Sequence, residues 1–328
     1  MSQPFYHLRP NKYVDRCLFV NVLERINLRV RLQEHRYIGF GSYLFDDFKM
    51  IHDRINIHSM ISLEADQTIF DRAKYNVPYK CIEIINQKST DFISGDNWGE
   101  QNSIIWLDYV EPSKLGQQFR DVAALTNVLM PHDIVKVTFN ANADTLGKIE
   151  KQNTPEQKEH GLEERLEKLK SRIGEYLPSD VVCTECVKDK YPLLLLKSMR
   201  IMITRCFQKT KYDKRFALPL FSTIYQDSDH RMLTVTFIVL DDPNEVDQIK
   251  DYFADIPYVA FEWESPAVIR IPELTVREML EINQLLPDEN PEEQLMERFD
   301  FVFKKREDEV KSYISFYKYY PSFQSVNF

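Results

Sequence analysis

Residues able to do chemistry gather at three points where an apolar run stops. Tyr37-Ile38 runs into Gly39-Phe40-Gly41-Ser42, Met60-Ile61-Ser62-Leu63 ends on Glu64-Ala65, and Ile104-Ile105-Trp106-Leu107 delivers Asp108-Tyr109. Glycines beside a strand end permit positive φ and let a ligand approach the main chain, and free N–H groups at a following helix start favour a polar or anionic group. An acid about 20 residues past such a turn is where a dinucleotide-type site meets a ribose diol, and Glu64 occupies that distance; it could equally neighbour a helix cap at Asp66. Asp108 can serve as a general base, hold a metal or orient an amine, or simply cap a helix. Thr90 and Asp91, in the run Ser89-Thr90-Asp91-Phe92-Ile93, could meet an adenine edge or mark a helix start. Gly39-Phe40-Gly41 alone is also what a plain tight turn looks like, because Leu44 stands where a third glycine would complete the dinucleotide fingerprint. The three ends in succession suggest a nucleotide-type cofactor site.

The elements that must position these residues alternate. Strands are expected near 37–39, 60–63, 79–85, 104–107 and 133–140, because strands of a parallel sheet are covered on both faces and read as continuous apolar runs. Helical spacing predicts helices over 15–26, from Phe45 to about Ile55, over 68–75 with Asp66 as cap, and over 119–129. This βαβα order predicts a parallel sheet with right-handed crossovers. A polar stretch over 141–178 interrupts it, with one amphipathic helix started by Thr154-Pro155-Glu156, its apolar face at Leu162, Leu166, Leu169 and Ile173, and its charges solvated. A buried helix over 191–207 follows, then two strand-like runs, 218–225 and 232–240, forming a hairpin with His230 exposed at its turn.

The fold class is therefore α/β: a Rossmann-like, mostly parallel sheet closed by an antiparallel hairpin, with a helical insertion and a helical, aromatic-rich C-terminal segment. Residues 1–262 read as one Rossmann-like domain and 263–328 as an extension packed on it. In the extension, Thr275-Val276-Arg277-Glu278 is a capping box before a helix that Pro287 stops. The tail aromatics Tyr313, Phe316, Tyr317, Tyr319, Tyr320, Phe323 and Phe328 read as core, the alternative being stacking on bases.

With 328 residues, 43% of them hydrophobic, the chain can bury a full core. A net charge of −9 argues against broad attraction to a polyanion, which makes nucleic acid a secondary partner. The longest apolar run, Leu193 to Leu196, is far short of the roughly 20 residues that span a bilayer. No basic-then-apolar leader opens the sequence, so a cytoplasmic location is expected. Five cysteines, an odd number, suit a reducing compartment; Cys183-x-x-Cys186 has metal-ligand spacing but no second pair, and no metal is expected. Near the N-terminus, Arg9, Asn11 and Lys12 could reach a substrate, or be solvated beside a helix start.

The ordered strand ends resemble those of the Rossmann-type (class I) S-adenosylmethionine-dependent methyltransferases. More narrowly, Leu8-Arg9-Pro10-Asn11-Lys12, Tyr37-Ile38-Gly39-Phe40-Gly41, Asp47-Phe48, Ile61-Ser62-Leu63-Glu64 and Trp106-Leu107-Asp108-Tyr109 resemble a poorly characterised bacterial group of O-methyltransferases, over roughly 5–140. The resemblance implies S-adenosylmethionine as cofactor, with Gly39, Phe40, Gly41 and Ser42 against its amino-acid part, Glu64 and Ala65 at the ribose, Thr90 and Asp91 at the adenine, and Asp108 and Tyr109 facing the methyl group. Catalysis would then be mostly positioning of a nucleophile and removal of its proton.

Two departures stand out. Tyr37 holds the position, two before the first glycine, where that class usually carries an acid for the methionine amine; Asp46 or Asp47 could replace it only if the loop folds back. Asn140-Ala141-Asn142 stands where metal-dependent small-molecule O-methyltransferases carry an Asp-Asn pair, so a Mg²⁺ site lacks a carboxylate. The expected function is methyl transfer to an unknown acceptor, with oxygen as the expected receiving atom. One alternative is a Rossmann-like binding or effector module without transfer chemistry, for example in a bacterial defence system; another is an NAD-type dehydrogenase. A protein partner or a homodimer is compatible with the aromatic tail and the charged insertion.

Overall fold

The computed structural model describes residues 9–95, 98–209, 213–227, 229–304 and 306–321. Leu8, Asp96, Asn97, Ser228 and the tail aromatics Phe323 and Phe328 lie outside the described residues.

Helix α1 (Pro10–Ile26) precedes an alternation of β1 (Arg36–Gly39), α2 (Asp46–Ile55), β2 (Met60–Leu63), α3 (Gln67–Asn76), β3 (Ile82–Ile85), α4 (Ser89–Ile93), β4 (Ser103–Asp108), α5 (Leu115–Leu125) and β5 (Ile134–Asn140). Helices α6 (Pro155–Ile173) and α7 (Tyr191–Phe207) lead to the hairpin of β6 (Phe216–Asp227) and β7 (His230–Leu240), then α8 (Glu245–Asp251) and β8 (Ala267–Ile269). The sheet order is β3-β2-β1-β4-β5-β7-β6-β8. Pairs β1–β2, β2–β3, β1–β4 and β4–β5 are parallel, and β7 runs antiparallel to β5. This is the Rossmann-like, mostly parallel sheet with an antiparallel hairpin that the sequence predicts. After β1 the chain builds outward through β2 and β3, then returns to place β4 on the other side of β1. That reversal opens a crevice at the carboxyl ends of β1 and β4, the place where open α/β sheets bind ligands.

Burial explains why these runs form central strands. Every residue of β5 is buried, including Lys136 and Thr138, as expected of a strand covered on both faces. The Lys136 ammonium lies 4.7 Å from the Trp106 ring centre and 5.1 Å from that of Phe221, which offsets part of its desolvation through the ring quadrupoles. At the amino ends of the strands, Asp133 fastens two loops: it accepts from the main-chain N–H of Ser103 (2.7 Å) and Met130 (2.7 Å) and from Asn102 Nδ2 (2.9 Å). Burial pushes the Asp133 carboxyl up, and these bonds with the nearby Arg36 charge pull it back.

The insertion forms the expected helix α6, entered through a capping box in which Thr154 Oγ1 accepts from Gln157 N (3.3 Å) and Gln157 Oε1 from Thr154 N (2.9 Å). Leu166, Leu169 and Ile173 are buried, while Leu162 is only partly covered. Its charges are not all solvated. Arg165 is buried, with Nε on Gly147 O (2.7 Å), Nη1 on Cys186 O (3.0 Å) and Nη2 on Asp144 (2.6 Å), because the polar loops flanking the helix leave carbonyls that only a buried donor can satisfy. Cys186 is itself buried, which pushes its thiol up to about 11. Among the described residues no group of three or more His, Cys, Asp or Glu side chains could hold a metal ion. No described helix is long and apolar enough to cross a membrane.

The described chain divides into two compact units: Val22–Ile224 with His230–Ala267, and Met1–Asn21 with Tyr225–Asp229 and Val268–Phe328. The smaller unit holds α9 (Val276–Asn283), α10 (Pro291–Arg298), α11 (Asp300–Phe303) and α12 (Glu307–Phe316) around a core of Ile282, Leu295, Phe299, Phe303, Val310 and Tyr313. Of the tail aromatics, Tyr313 and Phe316 are buried as expected of core, and Tyr317, Tyr319 and Tyr320 are partly covered. Tyr313 and Tyr320 lie 5.5 Å apart, and their hydroxyls donate to Asn283 Oδ1 (2.9 Å) and Pro272 O (2.9 Å).

Candidate active site

The turn after β1 differs from a glycine-led one. Gly39 and Gly41 do not have positive φ; Ser42 (φ 51°) and Phe45 (φ 53°) do. The glycines are required for space instead. A Cβ on Gly39 would lie 2.9 Å from Tyr37 Oη, and one on Gly41 would lie 2.7 Å from both the Phe45 ring and Ser62 Oγ. Left-handed backbone at a non-glycine residue costs about 1–2 kcal/mol, so this loop is held by its bonds. Gly41 N donates to Ser62 Oγ (3.1 Å), Phe45 N to Gly41 O (2.9 Å), and Ser42 N to Glu64 Oε1 (2.5 Å). The start of α2 is not an open anion site either, because Asp46 and Asp47 lie in its own first turn.

That turn answers the question raised by Tyr37. The loop folds back so that the buried Asp47 carboxylate accepts a short hydrogen bond from the Tyr37 hydroxyl. Asp47 is also close enough to Glu64 to raise its proton affinity. Glu64 follows β2 directly and is buried; burial first, then the Asp47 and Asp66 charges, push its carboxyl up to about 7 against the opposing Ser42 bond. Asp66 is indeed the cap of α3, accepting from Ile69 N (3.0 Å), which leaves Glu64 outside that role. Ala65, between the two, is exposed.

Across the crevice, β4 delivers Asp108 and Tyr109, both partly covered. The Tyr109 ring centre is 5.8 Å from that of Phe40, which joins the ends of β1 and β4. Its hydroxyl points inward, donating to Asp121 Oδ2 (3.1 Å) and lying 3.4 Å from Ser89 Oγ. Burial and the Asp121 charge hold this phenol well above its ordinary range, so it is a wall and a donor rather than a proton acceptor. Thr90 Oγ1 also donates to Asp121 (3.1 Å), whereas Asp91 is exposed in the first turn of α4.

Asn140 and Asn142 are engaged in loop structure. Asn140 Nδ2 reaches Val110 O (3.5 Å) and its Oδ1 accepts from Asn142 N (3.1 Å), while Asn142 Oδ1 accepts from Asp144 N (3.1 Å). Arg9, Asn11 and Lys12 belong to the smaller unit. There Asn11 donates to Gln226 O (3.0 Å) and accepts from Ile271 N (2.8 Å), so its amide ties three segments together, and Lys12 is buried. A separate cavity of about 580 Å³ lies at the opposite, amino-terminal side of the sheet, lined by Arg29, His35, Asn102, His132 and Glu245 among others. Its polar groups largely pair with one another, as in Arg29 to Glu245 (3.3 Å) and His132 Nε2 to Glu245 (3.0 Å), and it contains none of the strand-end residues.

Asp121, on the buried face of α5, was not singled out by sequence reasoning. The available signal is its spacing: it stands four residues after Gln117 and four before the buried Leu125.

The family described as "Putative O-methyltransferase" matches residues 4–328. The chain belongs to this O-methyltransferase family. Its members' name fits the geometry above, a switch-point crevice with an acid after β2 and another after β4. No curated protein matches the chain. Among solved structures it is similar to cofactor-bound Rv0187 from MTB, at 9% identity and TM-score 0.38, covering 70% of this chain and 80% of that one. It is also similar to Trm1 from Pyrococcus horikoshii in complex with S-adenosyl-L-methionine, at 10% identity and TM-score 0.45, covering 73% and 58% respectively. A third is the N-methyltransferase NodS from Bradyrhizobium japonicum WM9, at 9% identity and TM-score 0.35, covering 68% and 97%. The family match over nearly the whole chain carries the assignment to the Rossmann-type S-adenosylmethionine-dependent methyltransferases.

Proposed function

We propose that the larger unit transfers a methyl group from S-adenosylmethionine to an oxygen of an acceptor, with Asp108 as the group that takes the acceptor's proton. The observation that carries this reading is the convergence at one crevice of the Gly41–Ser42 turn, Glu64 and the Asp108–Tyr109 strand end, linked by the Ser42–Glu64 bond and the Phe40–Tyr109 contact. The residues fit the cofactor: Glu64 is a buried acid whose Oε1 is taken by Ser42 N, leaving acceptor capacity at its other oxygen for a diol. The cofactor supplies an activated methyl group on a sulfonium, so the protein's own work is to bind, orient and remove a proton.

In this reading Glu64, with Ala65 beside it, holds the ribose, the turn from Gly39 to Ser42 faces the amino-acid part, and Thr90 and Asp91 lie at the adenine. Phe40 and Tyr109 form an apolar wall that keeps water from the methyl group. An oxygen acceptor needs its proton removed as the new bond forms, and a carboxylate at the end of β4 is suited to that task.

The test is transfer of label from methyl-labelled S-adenosylmethionine into fractionated extract components, for the unaltered protein and Asp108→Asn. Label appearing in an ester or ether, and lost in the variant, supports the proposal. Label on nitrogen, or transfer unaffected by Asp108→Asn, would overturn the oxygen and proton-acceptor assignments.

A further inference from the structure

Asp121 has an unusual set of partners. It is buried and accepts from four side chains on three elements: Gln117 Nε2 at Oδ1 (2.8 Å), and Tyr109 Oη (3.1 Å), Thr90 Oγ1 (3.1 Å) and Ser89 Oγ (3.3 Å) at Oδ2. All four donors are neutral, and among the described residues none of the ion pairs involves Asp121. A buried carboxylate ordinarily has a cationic partner, since removing an ion from water is expensive and neutral hydrogen bonds recover only part of the cost. Three of the donors stand where the chain leaves β3 and β4, Ser89 and Thr90 in the first turn of α4 and Tyr109 directly after β4, and Gln117 lies on α5 itself, so the negative charge is fixed behind the strand ends. Tyr109 touches both sides, its hydroxyl on Asp121 Oδ2 (3.1 Å) and its ring centre 5.8 Å from that of Phe40 in the turn after β1.

We propose that Asp121 is a positioning residue that also makes the site prefer a cationic cofactor over its neutral product; this rests on the methyl-transfer reading. Its hydrogen bonds hold the Tyr109 wall and the first turn of α4 at Ser89–Thr90 in register. Its charge acts through the poorly screened interior on whatever occupies the crevice. In the transfer step an acceptor oxygen lone pair forms the new bond to the methyl carbon. The carbon–sulfur bond breaks with its electron pair left on sulfur, and the acceptor proton passes to Asp108. The sulfonium thereby becomes a neutral thioether. Attraction to Asp121 is present before transfer and absent afterwards, which favours entry of the reactant and departure of the product.

The experiment is a set of equilibrium binding titrations of the full chain with S-adenosylmethionine, S-adenosylhomocysteine and the unreactive amine analogue sinefungin. Asp121→Asn removes the charge but keeps an acceptor oxygen for Tyr109. It is expected to weaken the two cationic ligands about tenfold and the neutral thioether less than about threefold. Gln117→Arg sets a guanidinium on Asp121 from one helical turn away and is expected to shift the same ratio in the same direction, which keeps the proposal testable should Asp121→Asn fail to fold. Equal weakening of all three ligands would mean a purely structural role and overturn the proposal, as would ratios unchanged in both variants. A folded, unaltered protein that binds none of the three would remove the methyl-transfer reading itself, and this inference with it.

Discussion

Replacing Glu64 by glutamine should make the protein more stable at mildly alkaline pH while weakening its hold on the cofactor. The Glu64 carboxyl is pushed from 4.5 up to about 7, chiefly by burial. An acid with a raised folded value binds its proton more tightly in the folded state. Its contribution to stability is therefore full below the unfolded value and is lost as pH climbs through the window from 4.5 to about 7. At about 1.36 kcal/mol per pH unit, ionising Glu64 in the folded protein costs on the order of 3 kcal/mol above that window. Glutamine cannot ionise and can still accept from Ser42 N, so Glu64→Gln should gain up to about 3 kcal/mol over the unaltered protein near pH 8 and almost nothing near pH 4.5. Urea unfolding of both proteins at the two pH values measures this. A stability difference of the same size at both would mean that Glu64 does not change its charge across this window. The ligand side runs the other way. Ribose hydroxyls donate to the ionised carboxylate, so affinity for S-adenosylhomocysteine should rise roughly tenfold from about pH 6 to about pH 8 in the unaltered protein and stay flat in the variant.

Gly41→Ala places a Cβ 2.7 Å from the Phe45 ring and Ser62 Oγ. It should cost about 1–3 kcal/mol in denaturant titrations and weaken cofactor binding by shifting the Ser42–Glu64 bond; an unchanged affinity would detach this turn from the cofactor. Asp133→Ala strips acceptors from Asn102 and from the N–H groups of Ser103 and Met130 at the far edge of the sheet. A stability loss of about 3 kcal/mol is expected, with cofactor affinity per folded molecule unchanged. A selective loss of binding would show that the amino-terminal edge communicates with the crevice. Arg165→Met should loosen the insertion, read as faster hydrogen exchange over α6 and the Asp144–Gly147 loop, because it leaves the carbonyls of Gly147 and Cys186 without their donor. Unchanged exchange there would mean that other contacts hold the insertion.

What the sequence made legible is what local pattern controls. Strands β1, β2, β4 and β5 were readable because both faces are covered, which forces apolar runs, and the caps at Asp66, Thr154 and Thr275 because they act over three residues. The placement of Glu64 and Asp108 at strand ends followed from the same runs. Pairings across long sequence separation were not legible. Asp121 meets Tyr109, Ser89 and Thr90 through three different elements, and Asp133 meets Ser103 across 30 residues. Tyr37–Asp47 was readable only as a condition, since it depends on left-handed backbone at Ser42 and Phe45, residues with no intrinsic preference for it. Arg165 looked solvated because a charged residue on an amphipathic helix usually is, and only the surrounding carbonyls reveal otherwise. Helix α5 starts at Leu115 and ends at Leu125, earlier at both ends than the expected 119–129, because its first turn follows directly from the turn at Pro112 and residues past Leu125 leave the helix in turns.

Every role proposed above requires that the crevice at the ends of β1, β2 and β4 bind S-adenosylmethionine. Calorimetric titration with S-adenosylhomocysteine tests it most directly, using the unaltered protein beside Glu64→Ala. Saturable one-to-one binding is expected, lost or weakened at least tenfold in the variant. Folded protein that shows no heat of binding up to about millimolar ligand, or binding that Glu64→Ala leaves intact, would contradict it.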